Sequence, residues 1–166
     1  IFTPNRVRDI DFAGETLLVS DPHFGLATYW FESTTHPVCT YCDGSRTGNF
    51  EDIIGHDGFA IVARNDEVSR ISVFYVEDLA TIGLASEYFP TRFIDSLTRT
   101  DDLLVVACGE DGVICYDISE LPTLEKIWEV DTAGYARRAK VAGDYLYVAD
   151  MRGIAIYELV ESGGGS

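Results

Sequence analysis

Charged side chains recur along this sequence at a nearly constant spacing of 43, 44 and 42 residues. The recurring positions are occupied by Arg8, Glu51, Asp95 and Arg137. The adjacent positions carry Asp9, Asp52 and Arg138. If the repeats surround one axis, these groups meet at one mouth and form a binding site for a small anion, a metal ion or a zwitterion. The planar fork of arginine suits that use, and it equally suits a salt-bridged ring that neutralises itself.

A second candidate for chemistry is the C-x-x-C motif Cys39 and Cys42, which follows His36 in "HPVCTYC". A structural zinc site needs four ligands and usually two such pairs, so these residues could supply only part of one. The same cysteines could instead form a disulfide or remain thiols. Cys108 and Cys115 are interpreted as buried thiols, or as a pair across one hairpin if the geometry permits. No pattern identifies a catalytic residue, and we predict no cofactor.

The elements that position these residues are four copies of one unit. An apolar run recurs as "TLLVSD" (16–21), "FAIVAR" (59–64), "LLVVAC" (103–108) and "YLYVAD" (145–150). Each run follows a turn pair and precedes a second apolar run that contains an aromatic residue. Short runs rich in Val, Ile and aromatic residues between turns indicate strands. With flanking stretches on either side, the unit contains four strands in about 43 residues.

Four-stranded units at this period are typical of β-propeller blades, so we predict an all-β fold with four of them. The expected domain is 1–161, divided into repeats 6–48, 49–92, 93–134 and 135–160. Residues 162–166 are interpreted as a Gly/Ser tail or linker scar. The last blade lacks its outer strand and has a bare edge. The chain could therefore close alone, form half of a larger ring with a second copy, or be an excerpt of a longer propeller.

The sequence also resembles the LVIVD-type propeller repeat family. The resemblance rests on "YDISELP" (116–122), "VDTAGYA" (130–136) and "YVAD" (147–150). It is good over 93–160 and degraded over 6–92. It implies a prokaryotic propeller, often on the exported side of the membrane, with no general catalytic activity.

The composition limits the partners. There are 28 acidic residues against 12 basic ones, for a formal net charge of −16. Such a surface repels nucleic acid and anionic membranes. No apolar run is long enough to cross a bilayer. No signal peptide is visible, and we expect an extracellular or cell-surface location for this acidic protein.

These observations favour a non-enzymatic binding or assembly module with a protein partner, or with a second copy joined through the last blade's edge. Candidate contact residues are exposed aromatic and edge residues, namely Trp30, Tyr41, Trp128, Ile154 and Ile156. Trp128 could instead be buried between blades. Two other functions remain: a small-ligand or ion site at the charged mouth, which could be enzymatic, and a structural subunit of an extracellular assembly.

Overall fold

The chain folds into four antiparallel β-sheets. The computed structural model describes residues 7–22, 25–33, 36–42, 49–78, 81–90 and 93–159. Every regular secondary-structure element found in these ranges is a β-strand. Among them there is accordingly no helix with the length and apolar character to span a membrane.

Each sheet, which we call a blade, is built from consecutive strands. Blade 1 contains β1 (Asp9–Ala13), β2 (Thr16–Asp21), β3 (Gly25–Ser33) and β4 (His36–Cys42). Blade 2 contains β5 (Phe50–His56), β6 (Phe59–Asn65), β7 (Ser69–Asp78) and β8 (Thr81–Tyr88). Blade 3 contains β9 (Ser96–Thr100), β10 (Leu103–Ala107), β11 (Val113–Asp117) and β12 (Glu125–Val130). Blade 4 contains β13 (Ala136–Ala142), β14 (Tyr145–Asp150) and β15 (Gly153–Glu158).

The turn between the first two strands has the same backbone form in every blade. Its first residue has positive φ in each case: 59° at Gly14, 44° at Asp57, 50° at Asp101 and 58° at Gly143. Glycine adopts this left-handed conformation freely, and aspartate tolerates it better than most residues do. The turn pairs in the sequence therefore mark four equivalent hairpins.

Neighbouring blades pack face to face because successive residues of a strand point to opposite faces. On β6, Val62 belongs to a cluster with Leu18 of blade 1, whereas Ile61 belongs to a cluster with Leu104 of blade 3. A third cluster joins blades 3 and 4 around Val105. Burying such an aliphatic side chain contributes about 1.5–3 kcal/mol, so these three clusters hold consecutive blades together.

The two ends of this series differ from its middle. No cluster of buried side chains in the described residues joins blade 4 to blade 1, and blade 1 has a small cluster of its own around Val19. The sheet of blade 4 contains three strands, with β15 at its edge. The fold is thus an all-β propeller whose last blade lacks an outer strand within the described residues, which confirms the predicted fold class.

Candidate functional site

The innermost strands of all four blades border one central channel of about 420 Å³. Each of these four strands contributes charged residues to the wall, with side chains or backbone: Asp9, Asp11, Asp52, Arg99, Arg138 and Lys140. The repeated charged residues therefore do lie around a common axis.

The carboxylates of blade 1 reach across to the backbone of blade 2. Asp9 Oδ2 accepts a hydrogen bond from the Ile53 N–H at 3.1 Å, and Asp11 Oδ2 accepts one from the Gly55 N–H at 2.8 Å. The strands approach so closely that a Cβ placed on Gly55 would lie 2.2 Å from the Phe12 carbonyl oxygen. These two carboxylates fasten β1 to β5.

Asp52 repeats the same contact one blade further on. Its Oδ2 accepts a hydrogen bond from the Leu97 N–H of β9 at 2.7 Å, and the residue is 7% exposed. Burial, together with the hydrogen bond and charge of Asp9, raises the pKa of Asp52 to about 8, although the Leu97 N–H and Arg138 oppose the shift. Asp52 is therefore mainly protonated at neutral pH, and it donates that proton to Asp9.

The contact does not continue to the last blade. The equivalent position of blade 3 is Ser96, whose buried Oγ has no hydrogen-bond partner in the described structure. The equivalent position of blade 4 is Arg138, which forms no ion pair within 4.0 Å with any described residue. An arginine cannot accept a backbone hydrogen bond, so blade 4 lacks the means to fasten a following blade in this way.

At the mouth, the four repeated charged residues form two separate pairs. Arg8 Nη1 lies 3.6 Å from Glu51 Oε2, and Arg137 Nη1 lies 3.1 Å from Asp95 Oδ1. Arg137 also stacks on the Tyr135 ring at 5.0 Å. Burial and the hydrogen bond with Asp95 raise the pKa of Tyr135. This pairing is the arrangement expected of a self-neutralising ring; a ligand site at the mouth stays a prediction.

One side of blade 4 is apolar and uncovered. We call it the blade 4 face; it comprises Tyr145, Tyr147, Ala149, Ile154 and Ile156, flanked by Arg138 and Lys140. Ile154 is 77% exposed, Ile156 58% and Tyr147 39%. A shallow groove of about 290 Å³ runs over part of this face, between Tyr147, Ile154 and the two cations. The edge of β15 borders the same surface.

The far side of blade 1 is also apolar. We call it the blade 1 face; it comprises Ile10, Phe12, Leu17, Val19, Ala27 and Tyr29. Val19, Ala27 and Tyr29 are buried, whereas Ile10 is 56% exposed and Phe12 51%. The exposed part thus lies on β1, beside the channel.

The other predicted contact residues have different surroundings. Trp30 is 37% exposed. Trp128 packs on the cluster between blades 3 and 4, with its ring 6.2 Å from that of Tyr157. It therefore serves inter-blade packing, as the structural alternative expected. The side chain of Tyr41 lies outside the described residues.

The structure shows the state of two of the four cysteines. Cys108 and Cys115 are buried free thiols in different clusters, on opposite faces of blade 3, so they do not pair across the hairpin. Burial raises the pKa of both thiols to about 12, which makes them unreactive. The side chains of His36 and Cys42 lie outside the described residues. The metal, disulfide and thiol hypotheses for "HPVCTYC" stay predictions.

Sequence reasoning missed two features. The first is an ion-pair network in blade 2, where Arg64 and Arg70 both contact Asp66 and Glu87. Its members are far apart in sequence, so only the fold of β6–β8 brings them together. The second is the uncovered blade 1 face. The alternation of apolar residues in the first repeat carried that signal.

Comparison with known proteins supports the fold alone. No family model matches the sequence, and no curated protein matches it either. Among solved structures, the computationally designed Ika4 protein superposes with a TM-score of 0.71 at 7% identity, covering 96% of this chain and 94% of that one. The designed Ika8 protein superposes with a TM-score of 0.68 at 8% identity over 90% of this chain but 45% of that one. A chain from a nidogen–laminin complex superposes with a TM-score of 0.61 at 14% identity, over 91% of this chain and 58% of that one.

Proposed function

We propose that this chain is a non-enzymatic protein-binding module that docks its partner on the blade 4 face. One observation carries the proposal: Ile154 and Ile156 are 77% and 58% exposed on a strand that has no outer neighbour among the described residues. Contiguous exposed apolar surface on a folded domain marks an interaction site. An unpaired strand edge beside it offers backbone donors and acceptors to the same partner.

The charge around the blade 4 face also supports a protein partner. Arg138 and Lys140 border the groove, and neither forms an ion pair within 4.0 Å in the described structure. In a chain with a net charge of −16, this is a local concentration of cations. The face is thus suited to a partner that presents apolar side chains next to carboxylates.

The channel mouth supports a ligand site less well. Arg8 and Arg137 are paired with carboxylates, and Asp9, Asp11 and Asp52 accept backbone hydrogen bonds from the next blade. These groups have structural partners already, so they offer little to a substrate. We therefore retain the small-ligand function only as the alternative, together with a structural role in an extracellular assembly.

The LVIVD resemblance and an extracellular location remain part of this proposal. The fold is the one that the resemblance implies, and one of the similar structures is described as a complex of nidogen with laminin, two proteins bound to each other. The single-domain extent of 1–161 and its repeat boundaries likewise belong to the proposal.

Affinity capture tests the proposed function. The chain is immobilised, exposed to an extract of the cells that produce it, and the retained proteins are identified by mass spectrometry. Ile154→Asp should lose the specific partner, whereas Val68→Asp should retain it, because Val68 is 54% exposed on a turn of blade 2. Equal retention by both variants would refute a role for the blade 4 face.

A further inference from the structure

We propose that the partner on the blade 4 face is the blade 1 face of a second copy, so that two chains join head to tail. This inference rests on the proposed function, because it names the occupant of the same surface. It predicts a ring closed by two identical junctions.

The repeat positions supply the first argument. On the second strands of blades 1, 2 and 3, the equivalent residues Leu18, Ile61 and Val105 face the next blade and are at most 1% exposed. The same position in blade 4 is Tyr147, which is 39% exposed.

The adjacent position on the same strands faces the other way. Val62, Val106 and Val148 face the preceding blade and are fully buried. Val19 holds this position in blade 1 and is also buried, but Ile10 and Phe12 of β1 on the same face are 56% and 51% exposed. The two end faces are therefore the two halves of a junction that the chain forms three times within itself.

Charge supplies the second argument. A junction of the same register would place Arg138 and Lys140 against the blade 1 face, because the equivalent residues Asp9 and Asp11 point to the backbone of blade 2. Packing of two blade 4 faces against each other would instead bring four cations together. The head-to-tail arrangement is favoured for this reason over a symmetric back-to-back one.

Geometry is the third argument. Head-to-tail contacts close into a ring when the rotation between copies permits, and otherwise they form an open series. This chain superposes on 45% of the longer designed protein Ika8, so two copies in succession match that chain in length. A series of two chains would contain eight blades, twice the four of one chain.

Sedimentation equilibrium across the micromolar range tests the inference. The wild-type chain should show a mass twice its 18.4 kDa. Ile154→Asp and Phe12→Asp should each raise the concentration of half-association by about tenfold or more, since each places a charge in the apolar contact. The controls Val68→Asp and Ile127→Asp, at residues 54% exposed away from both faces, should behave as wild type. Circular dichroism verifies folding, and Ile156→Thr serves if Ile154→Asp does not fold.

Mixing the two variants tests the orientation. An Ile154→Asp chain retains a normal blade 1 face and a Phe12→Asp chain retains a normal blade 4 face, so an equimolar mixture should form two-chain particles through this one normal junction, at lower concentration than either variant alone. Phe12→Asp that remains dimeric alone would overturn the head-to-tail arrangement. A mass that rises in higher multiples would overturn the closed ring.

The result also separates this inference from the proposed function. A wild-type chain of 18.4 kDa at every concentration, with a different protein captured through Ile154, would refute the second copy and leave the protein-binding function intact. A monomer that captures nothing through this face would refute both.

Discussion

Blades 2 and 4 carry the same residue pattern in opposite environments. In blade 2, Ile71 and Val73 of the third strand are fully buried against blade 3. In blade 4, the equivalent Ile154 and Ile156 are 77% and 58% exposed. Strand pattern and register are alike, so the difference arises from the neighbouring blade alone. Apolar positions that are buried within the series of blades are therefore exposed at its end.

The largest expected effect comes from placing the same charge at both positions. Val73→Asp should lower the free energy of unfolding by several kcal/mol, on the order of 4 or more, because it buries a carboxylate without a partner. Ile156→Asp should change it by less than about 0.5 kcal/mol, because that side chain already faces solvent. Urea denaturation of dilute protein measures both. Similar losses in the two variants would mean that the blade 4 face is covered within the chain.

A second prediction concerns the inter-blade hydrogen bonds that blade 4 lacks. Asp52→Ala should cost about 1–3 kcal/mol, because the buried Leu97 N–H loses its acceptor. Asp52→Asn should cost much less, because the amide accepts from Leu97 and donates to Asp9 as the protonated acid does. Equal losses from both variants would show that the hydrogen bonds of Asp52 contribute little.

Because the pKa of Asp52 is raised, the difference in stability between the wild-type chain and Asp52→Asn should depend on pH. The folded value of about 8 exceeds the ordinary value of 3.8, so the folded state holds the proton more tightly. The stabilisation is therefore complete below about pH 4 and is lost as the pH rises towards 8. The stability of the wild-type chain relative to Asp52→Asn should fall over this range and level off above it. A difference that does not vary with pH would contradict the buried, protonated state.

The smallest expected effect lies at the channel mouth. Arg137→Ala should lower stability by up to about 1 kcal/mol and Arg8→Ala by less, because both arginines are exposed and Arg8 is the farther from its carboxylate. Thermal melts at low salt detect the difference. A rise in stability on removing Arg137 would mean that its charge destabilises the fold, as expected of a residue that binds a ligand.

The sequence predicted the strands and turns well because their signals are local. Alternating apolar residues and Gly or Asp at the first turn position are sufficient to identify the four hairpins. The roles of Asp9 and Asp52 could not be predicted in this way, since they depend on backbone groups about 44 residues away in the next blade. The same holds for the blade 1 face, whose exposure is decided by what packs on it and not by its own residues.

Thiol labelling compares the two blades most directly. Cysteine introduced at Ile156 or at Val73 is treated with a maleimide, and each site is quantified by peptide mass spectrometry. We expect fast labelling of Ile156→Cys in dilute protein, slower labelling as the chain concentration rises, and no labelling of Val73→Cys until the protein unfolds. Labelling of Ile156→Cys as slow as that of Val73→Cys at every concentration would contradict an uncovered blade 4 face.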